Sequence, residues 1–172
     1  MRLREVLGVL SKSSPYAVKT ERELALDLDA VKDYLYVATD IETDFIDHLK
    51  SLRPDDKKII FLCGSSGDGK SEILTRYSKQ YQNKAYFHLD ATHSFSPKET
   101  AIERLDQVFD DYESGSKALV VGINTGMLGN YSEEGANDKI KHAIKSFLQK
   151  KPLNSEFVFL DFEQYPKFKL ES

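Results

Sequence analysis

The sequence predicts an α/β protein of three layers around a mostly parallel sheet, preceded by an N-terminal helical segment. Three observations predict it. From residue 57 onward, short apolar runs alternate with helical patterns, which is how strand–helix–strand units read. The runs are continuously apolar rather than alternating, as strands covered on both faces should be. A glycine-rich turn also joins the first run to its helix. At 172 residues the chain can bury one respectable core.

Ahead of the sheet, Leu3, Val6, Leu7 and Leu10 recur at helical spacing until residues 11–15 break the pattern. A second stripe places Val31, Leu35, Ala38, Phe45, Leu49 and Leu52 together, with Asp29, Lys32, Asp33, Asp40, Glu42, Asp44 and Asp47 for a solvent face, and Pro54 ends it. Such scattered carboxylates read more simply as a solvated face than as a metal site. Residues 1–56 are therefore assigned to a helical segment and residues 57–172 to the core domain. Within the core, strands are expected at 58–63, 85–89, 118–123 and 156–160, and helices at 71–81, 98–112 and 138–148.

Composition is that of an ordinary soluble chain, 40% hydrophobic and 30% charged. No apolar run approaches the roughly 20 residues of a membrane span, and Met1 opens straight into polar residues with no secretory leader. The one cysteine, Cys63, lies in a strand-like run, so neither a disulfide framework nor a Cys/His cluster is expected, and a reducing cytoplasm is the natural setting. A net charge of −4 argues against a protein that coats nucleic acid by bulk charge. Lys139, Lys141, Lys145, Lys150 and Lys151 cluster late in the chain; a solvated helix face explains them at least as well as nucleic-acid contact.

The segment Gly64, Ser65, Ser66, Gly67, Asp68, Gly69, Lys70, Ser71 satisfies G-x-x-x-x-G-K-[ST], the Walker A pattern of phosphate-binding loops. A triphosphate needs several backbone N–H groups converging on one place, and the glycines let the chain wrap it closely. The helix that opens near Lys70 adds its dipole. Lys70 is expected to reach the β and γ phosphates and the Ser71 hydroxyl to bind Mg²⁺, which makes Mg·ATP the expected ligand. Asp68 occupies a variable position from which it can point outward, and Glu72 suits the first helical turn. The expected fold is thus P-loop NTPase-like. A glycine-rich turn without a ligand is the alternative, and it leaves three glycines with an apposed lysine and serine unexplained.

Hydrolysis also needs an acid at a strand end to hold the metal shell. Asp90 and Asp161 both follow apolar runs, and neither is followed by Glu; a strand-end aspartate that only starts a turn or caps a helix is the alternative for each. Sequential strands tend to neighbour each other, which favours Asp90 as the metal aspartate, although an intervening strand is common in these folds. Asp110 and Asp111 lie in a helical pattern and are weaker candidates. Asn124, at the tip of the third strand, can sense the γ-phosphate or orient water in a stretch that resembles the AAA+ class, or can simply form a turn before Gly126. His93 can approach the same edge or merely be exposed.

The opening residues 1–7, the stretch 61–72 around the loop, the stretch 88–95 with its Asp90-Ala-Thr-His93 core, and the stretch 121–128 from Val121 to Leu128 together resemble the N-terminal part of the DptF family. That family is the ATPase component of the Dpt DNA phosphorothioation-dependent restriction system. The resemblance implies an ATP-driven member of a multi-protein defence complex, with a helicase-like subunit as partner and DNA met through the complex. Family members are considerably longer, which implies a fragment or shortened form with the core incomplete at its C-terminus and without a helical lid or arginine finger. Two other readings stay open. One is a nucleotide-binding scaffold without catalysis, which the absent Asp-Glu pair supports. The other is a small-molecule or nucleoside kinase, which the only arginines after the loop, Arg76 and Arg104, serve poorly because each falls within a helical pattern.

Overall fold

The computed structural model describes residue 36, residues 38–89 and residues 100–165. Chain contacts divide the protein into Met1–Thr39 and Asp40–Ser172, and every described element lies in the second unit. Its strands are β1 (Ile59–Gly64), β2 (Ala85–His88), β3 (Ala118–Asn124) and β4 (Phe157–Asp161). Its α-helices are α1 (Asp40–Ser51), α2 (Lys70–Tyr81), α3 (Ala101–Ser114), α4 (Thr125–Glu134) and α5 (Asp138–Leu148), and a 3-10 turn, Phe162–Gln164, follows β4.

The four strands form one all-parallel sheet in the order β2-β3-β1-β4. Period-two alternation sorts its side chains onto two faces. Ile59, Phe61, Cys63, Leu119, Val121, Ile123 and Phe157 meet Leu105, Val108 and Phe109 of α3, Leu128 and Tyr131 of α4, and Ile140, Ala143 and Ile144 of α5. Ile60, Leu62, Ala118, Val120 and Leu160 meet Ile41, Phe45 and Leu49 of α1 and Ile73, Leu74 and Tyr81 of α2. Helices on both faces explain why β1 and β3 read as unbroken apolar runs: all six residues of β1 are buried.

Several expectations need correction. The second stripe is helical only over Asp40–Ser51 among the described residues; Ala38 is exposed and non-helical, and residues 29–35 and 37 lie outside the described set, as does the stripe at residues 3–10. Glu42, expected on a solvent face, is 1% exposed, because it stands three residues before Phe45 and seven before Leu49, on the apolar stripe itself. Helix α4 was not expected at all, and it occupies the stretch read as a turn around Gly126. Strand β2 does not adjoin β1; β3 lies between them, so the neighbour argument for Asp90 fails while the intervening-strand arrangement holds. No helix among the described residues is long and apolar enough to cross a membrane.

Candidate functional site

Strand β1 is central, flanked by β3 and β4, and its last residue, Gly64, pairs with Asn124 while Cys63 pairs with Asp161. The loop from Gly64 to Ser71 therefore leaves the carboxyl edge of the sheet between the two strand ends that carry Asn124 and Asp161. In parallel sheets that edge is where ligands collect.

Within the loop, Gly67 and Gly69 have φ of 84° and 96°, left-handed values that a side chain at either position would oppose. The Asp68 N–H donates to the Ser65 carbonyl at 3.4 Å, closing a turn with Gly67 at its third position. Asp68 does not point outward as expected: its Oδ2 accepts the Ser65 N–H at 2.6 Å. Lys70 folds back, its Nζ donating to the Ser65 carbonyl at 2.5 Å and lying 5.9 Å from the centroid of the Phe162 ring. Ser65, Ser66, Gly67 and Gly69 are exposed, and Ser71 is half-buried in the first turn of α2. Glu72 pairs with Arg76 one turn on, at 3.7 Å.

Helix α2 begins on Gly69 with no side-chain cap. Its neighbours begin differently: Thr100 caps α3 in a reciprocal capping box with Glu103, Asn124 caps α4 and Asn137 caps α5. Asn124 thus stands where the sequence placed it, at the loop edge, but its Oδ1 accepts the Met127 N–H at 2.6 Å. Asp161 is likewise at the edge and engaged, Oδ1 accepting the Glu163 N–H at 3.0 Å and starting the 3-10 turn.

Other candidates separate from the loop. Asp110 and Asp111 fall near the end of α3, where Lys57, just ahead of β1, donates to the Tyr112 and Glu113 carbonyls. That is the amino edge of the sheet, opposite the loop. Asp90 and His93 lie outside the described residues. Burial foremost, then the nearby Asp161 carboxylate, pushes the Cys63 thiol up to about 12, so it is a core group and not a nucleophile. Three of the late lysines are engaged by acids, Lys139 with Glu156 at 2.7 Å, Lys145 with Glu133 at 3.2 Å and Lys141 with Asp138 at 3.9 Å, while Lys150 and Lys151 are exposed beyond the helix. Arg76 is held on α2 by Glu72, and Arg104 donates to Gln107 on α3 at 3.2 Å, so each lies within a helix as the sequence places it.

Sequence reasoning missed Phe162. It is buried beneath the loop, and a Cβ added to Gly64 would come within 2.9 Å of its Cβ. Its place one residue past Asp161, which closes the apolar run 157–160, was the available signal. Compared with known proteins, the chain matches no family model, no curated protein and no solved structure.

Proposed function

We propose that the protein binds Mg·ATP through the loop from Gly64 to Ser71, as an ATPase module of the P-loop NTPase type. The observation that carries this reading is the way the loop meets α2. A glycine-rich turn leaves the central parallel strand, its lysine folds back over it, and the helix it opens starts without the side-chain cap that α3, α4 and α5 possess. Backbone N–H groups at such a start suit an anion, and the helix dipole adds to them. The residues fit the ligand: Gly67 and Gly69 have open space where a Cβ would stand, Lys70 supplies the cation for the β and γ phosphates, and Ser71 supplies a hydroxyl for Mg²⁺. Ser65, Ser66, Asp68 and Glu72 belong to the same binding loop and its first helical turn.

For the acid that holds the metal shell, adjacency to β1 supports Asp161, whereas Asp90 requires the intervening strand that β3 provides. Asn124 sits opposite Gly64, where its amide can report on the terminal phosphate. The resemblance in residues 61–72, 88–95 and 121–128 extends the proposal to its setting: an ATP-driven component of a phosphorothioation-dependent DNA restriction system, working with a helicase-like subunit. DNA is then met through the complex, which agrees with the paired lysines of α5.

One observation favours a second reading, a nucleotide-binding scaffold. Asn124 and Asp161 both spend a side-chain oxygen on capping, which leaves less of each for a metal shell or water. Release of labelled phosphate from Mg·ATP, with Asp90→Ala and Asp161→Ala made singly, decides between them. An ATPase loses more than about tenfold of its turnover in one of the two, since positioning and electrostatics carry phosphoryl transfer. Binding without turnover in the parent establishes the scaffold, and transfer to a nucleoside rather than to water establishes a kinase.

A further inference from the structure

We infer that Asp68 is a positioning residue: its carboxylate holds the backbone of Ser65, and through Ser65 the ammonium group of Lys70, in the arrangement a phosphate chain requires. The inference rests on the reading of the loop as a phosphate site. An acid in such a loop is paradoxical at first, because a carboxylate facing a polyanion repels it and weakens binding. The geometry removes the paradox. Asp68 Oδ2 is directed to the Ser65 N–H at 2.6 Å, and a Cβ on Gly64 would meet that same oxygen at 2.8 Å and the Phe162 Cβ at 2.9 Å. The carboxylate therefore lies directly against the first glycine of the loop, a glycine that the turn after β4 also approaches closely.

The consequence falls on one residue. The N–H of Ser65 is held by the Asp68 side chain, and its carbonyl is held by the Asp68 N–H and by Lys70 Nζ. With both polar groups tied, Ser65 has one orientation, and its carbonyl is a fixed post against which the lysine ammonium parks. Glycines at 67 and 69 make the neighbouring backbone permissive, with left-handed φ at both. A permissive loop must lose conformational freedom on binding, and a brace that removes that freedom beforehand raises affinity without touching the ligand. Only an acceptor oxygen at residue 68 is needed for this; the charge is not.

The test uses Asp68→Ala and Asp68→Asn in the whole chain, with Mg-bound inorganic triphosphate as the probe. Asn keeps an acceptor and drops the charge; Ala drops both. Two readouts are taken: the hydrogen-exchange rate of the Ser65 amide without ligand, and the triphosphate dissociation constant by calorimetry. In Asp68→Ala the amide should exchange at least about tenfold faster and the dissociation constant should rise at least about tenfold. In Asp68→Asn both should return to within about threefold of the parent. Unchanged exchange in Asp68→Ala, equal or tighter binding by it, or a loss in Asp68→Asn as large as in Asp68→Ala overturns the role of Asp68. If the parent itself binds no triphosphate, the phosphate reading of the loop fails and takes the inference with it, an outcome distinct from parent binding that Asp68→Ala leaves intact.

Discussion

Helices α2 and α4 leave adjacent strands from paired positions, Gly64 opposite Asn124, and begin in opposite ways. Helix α4 is closed by the last residue of its own strand, Asn124 capping the Met127 N–H. Helix α2 starts on a left-handed glycine with no side-chain cap, and is secured further along instead. Ile73 and Leu74 are buried against the sheet, the Tyr77 ring meets Phe45 edge-on at 6.2 Å, and the Tyr77 hydroxyl donates to the buried Glu42 of α1 at 2.6 Å. The difference teaches how a helix can offer its first turn to a ligand: its body must be fixed by other contacts. The sheet edge thus joins one helix start that is self-sufficient to one that is anchored from its middle.

Cutting the anchor of α2 should therefore cost more than cutting the cap of α4. Tyr77→Phe takes the donor from Glu42 Oε1 in a carboxylate whose Oε2 already has no hydrogen-bond partner among the described residues. Urea unfolding should show a loss of about 2 kcal/mol, the cost of leaving a buried acceptor unsatisfied. The same pair predicts a pH effect. Burial first, then the hydrogen bond to Glu42, raise the Tyr77 hydroxyl from 10.0 to about 12. The stability it contributes is whole below pH 10 and is lost as pH rises through about 12, and Tyr77→Phe should flatten that alkaline slope. Asn124→Ala, by contrast, should cost about 1 kcal/mol, recovered by Asn124→Asp, which can also cap. A larger loss at Asn124 than at Tyr77 would break the contrast between the two helices.

Much of the fold was legible because buried parallel strands declare themselves. The runs 58–63 and 118–123 differ from β1 and β3 only at their ends, and α5 spans Asp138–Leu148 as its apolar spacing predicts. Helix α4 was not legible: Asn124 ahead of Gly126 reads as a turn former, and Leu128 and Tyr131 are too few to show a period. Strand order was not legible either, since nothing within a strand states its neighbour, and so β3 intervenes where β2 was expected. At the site, the motif announced the backbone of the loop and Lys70, because glycine spacing is a backbone property written in sequence. The direction of Asp68 depends on the turn that residues 65–68 make, and the approach of Phe162 to Gly64 joins residues nearly a hundred positions apart; both appear only after folding.

A nucleotide bound by the loop from Gly64 to Ser71 must stabilise the folded chain. Thermal unfolding of the parent and of Lys70→Ala, each with and without Mg·ATP, tests it most directly. Ligand at 100 times its dissociation constant stabilises by about 2.7 kcal/mol, which in a chain of this size raises Tm by about 5 to 10 °C. The parent should show that rise, and Lys70→Ala should lose it. An equal Tm with and without Mg·ATP in the parent, or the same rise in both proteins, would contradict nucleotide binding by this loop.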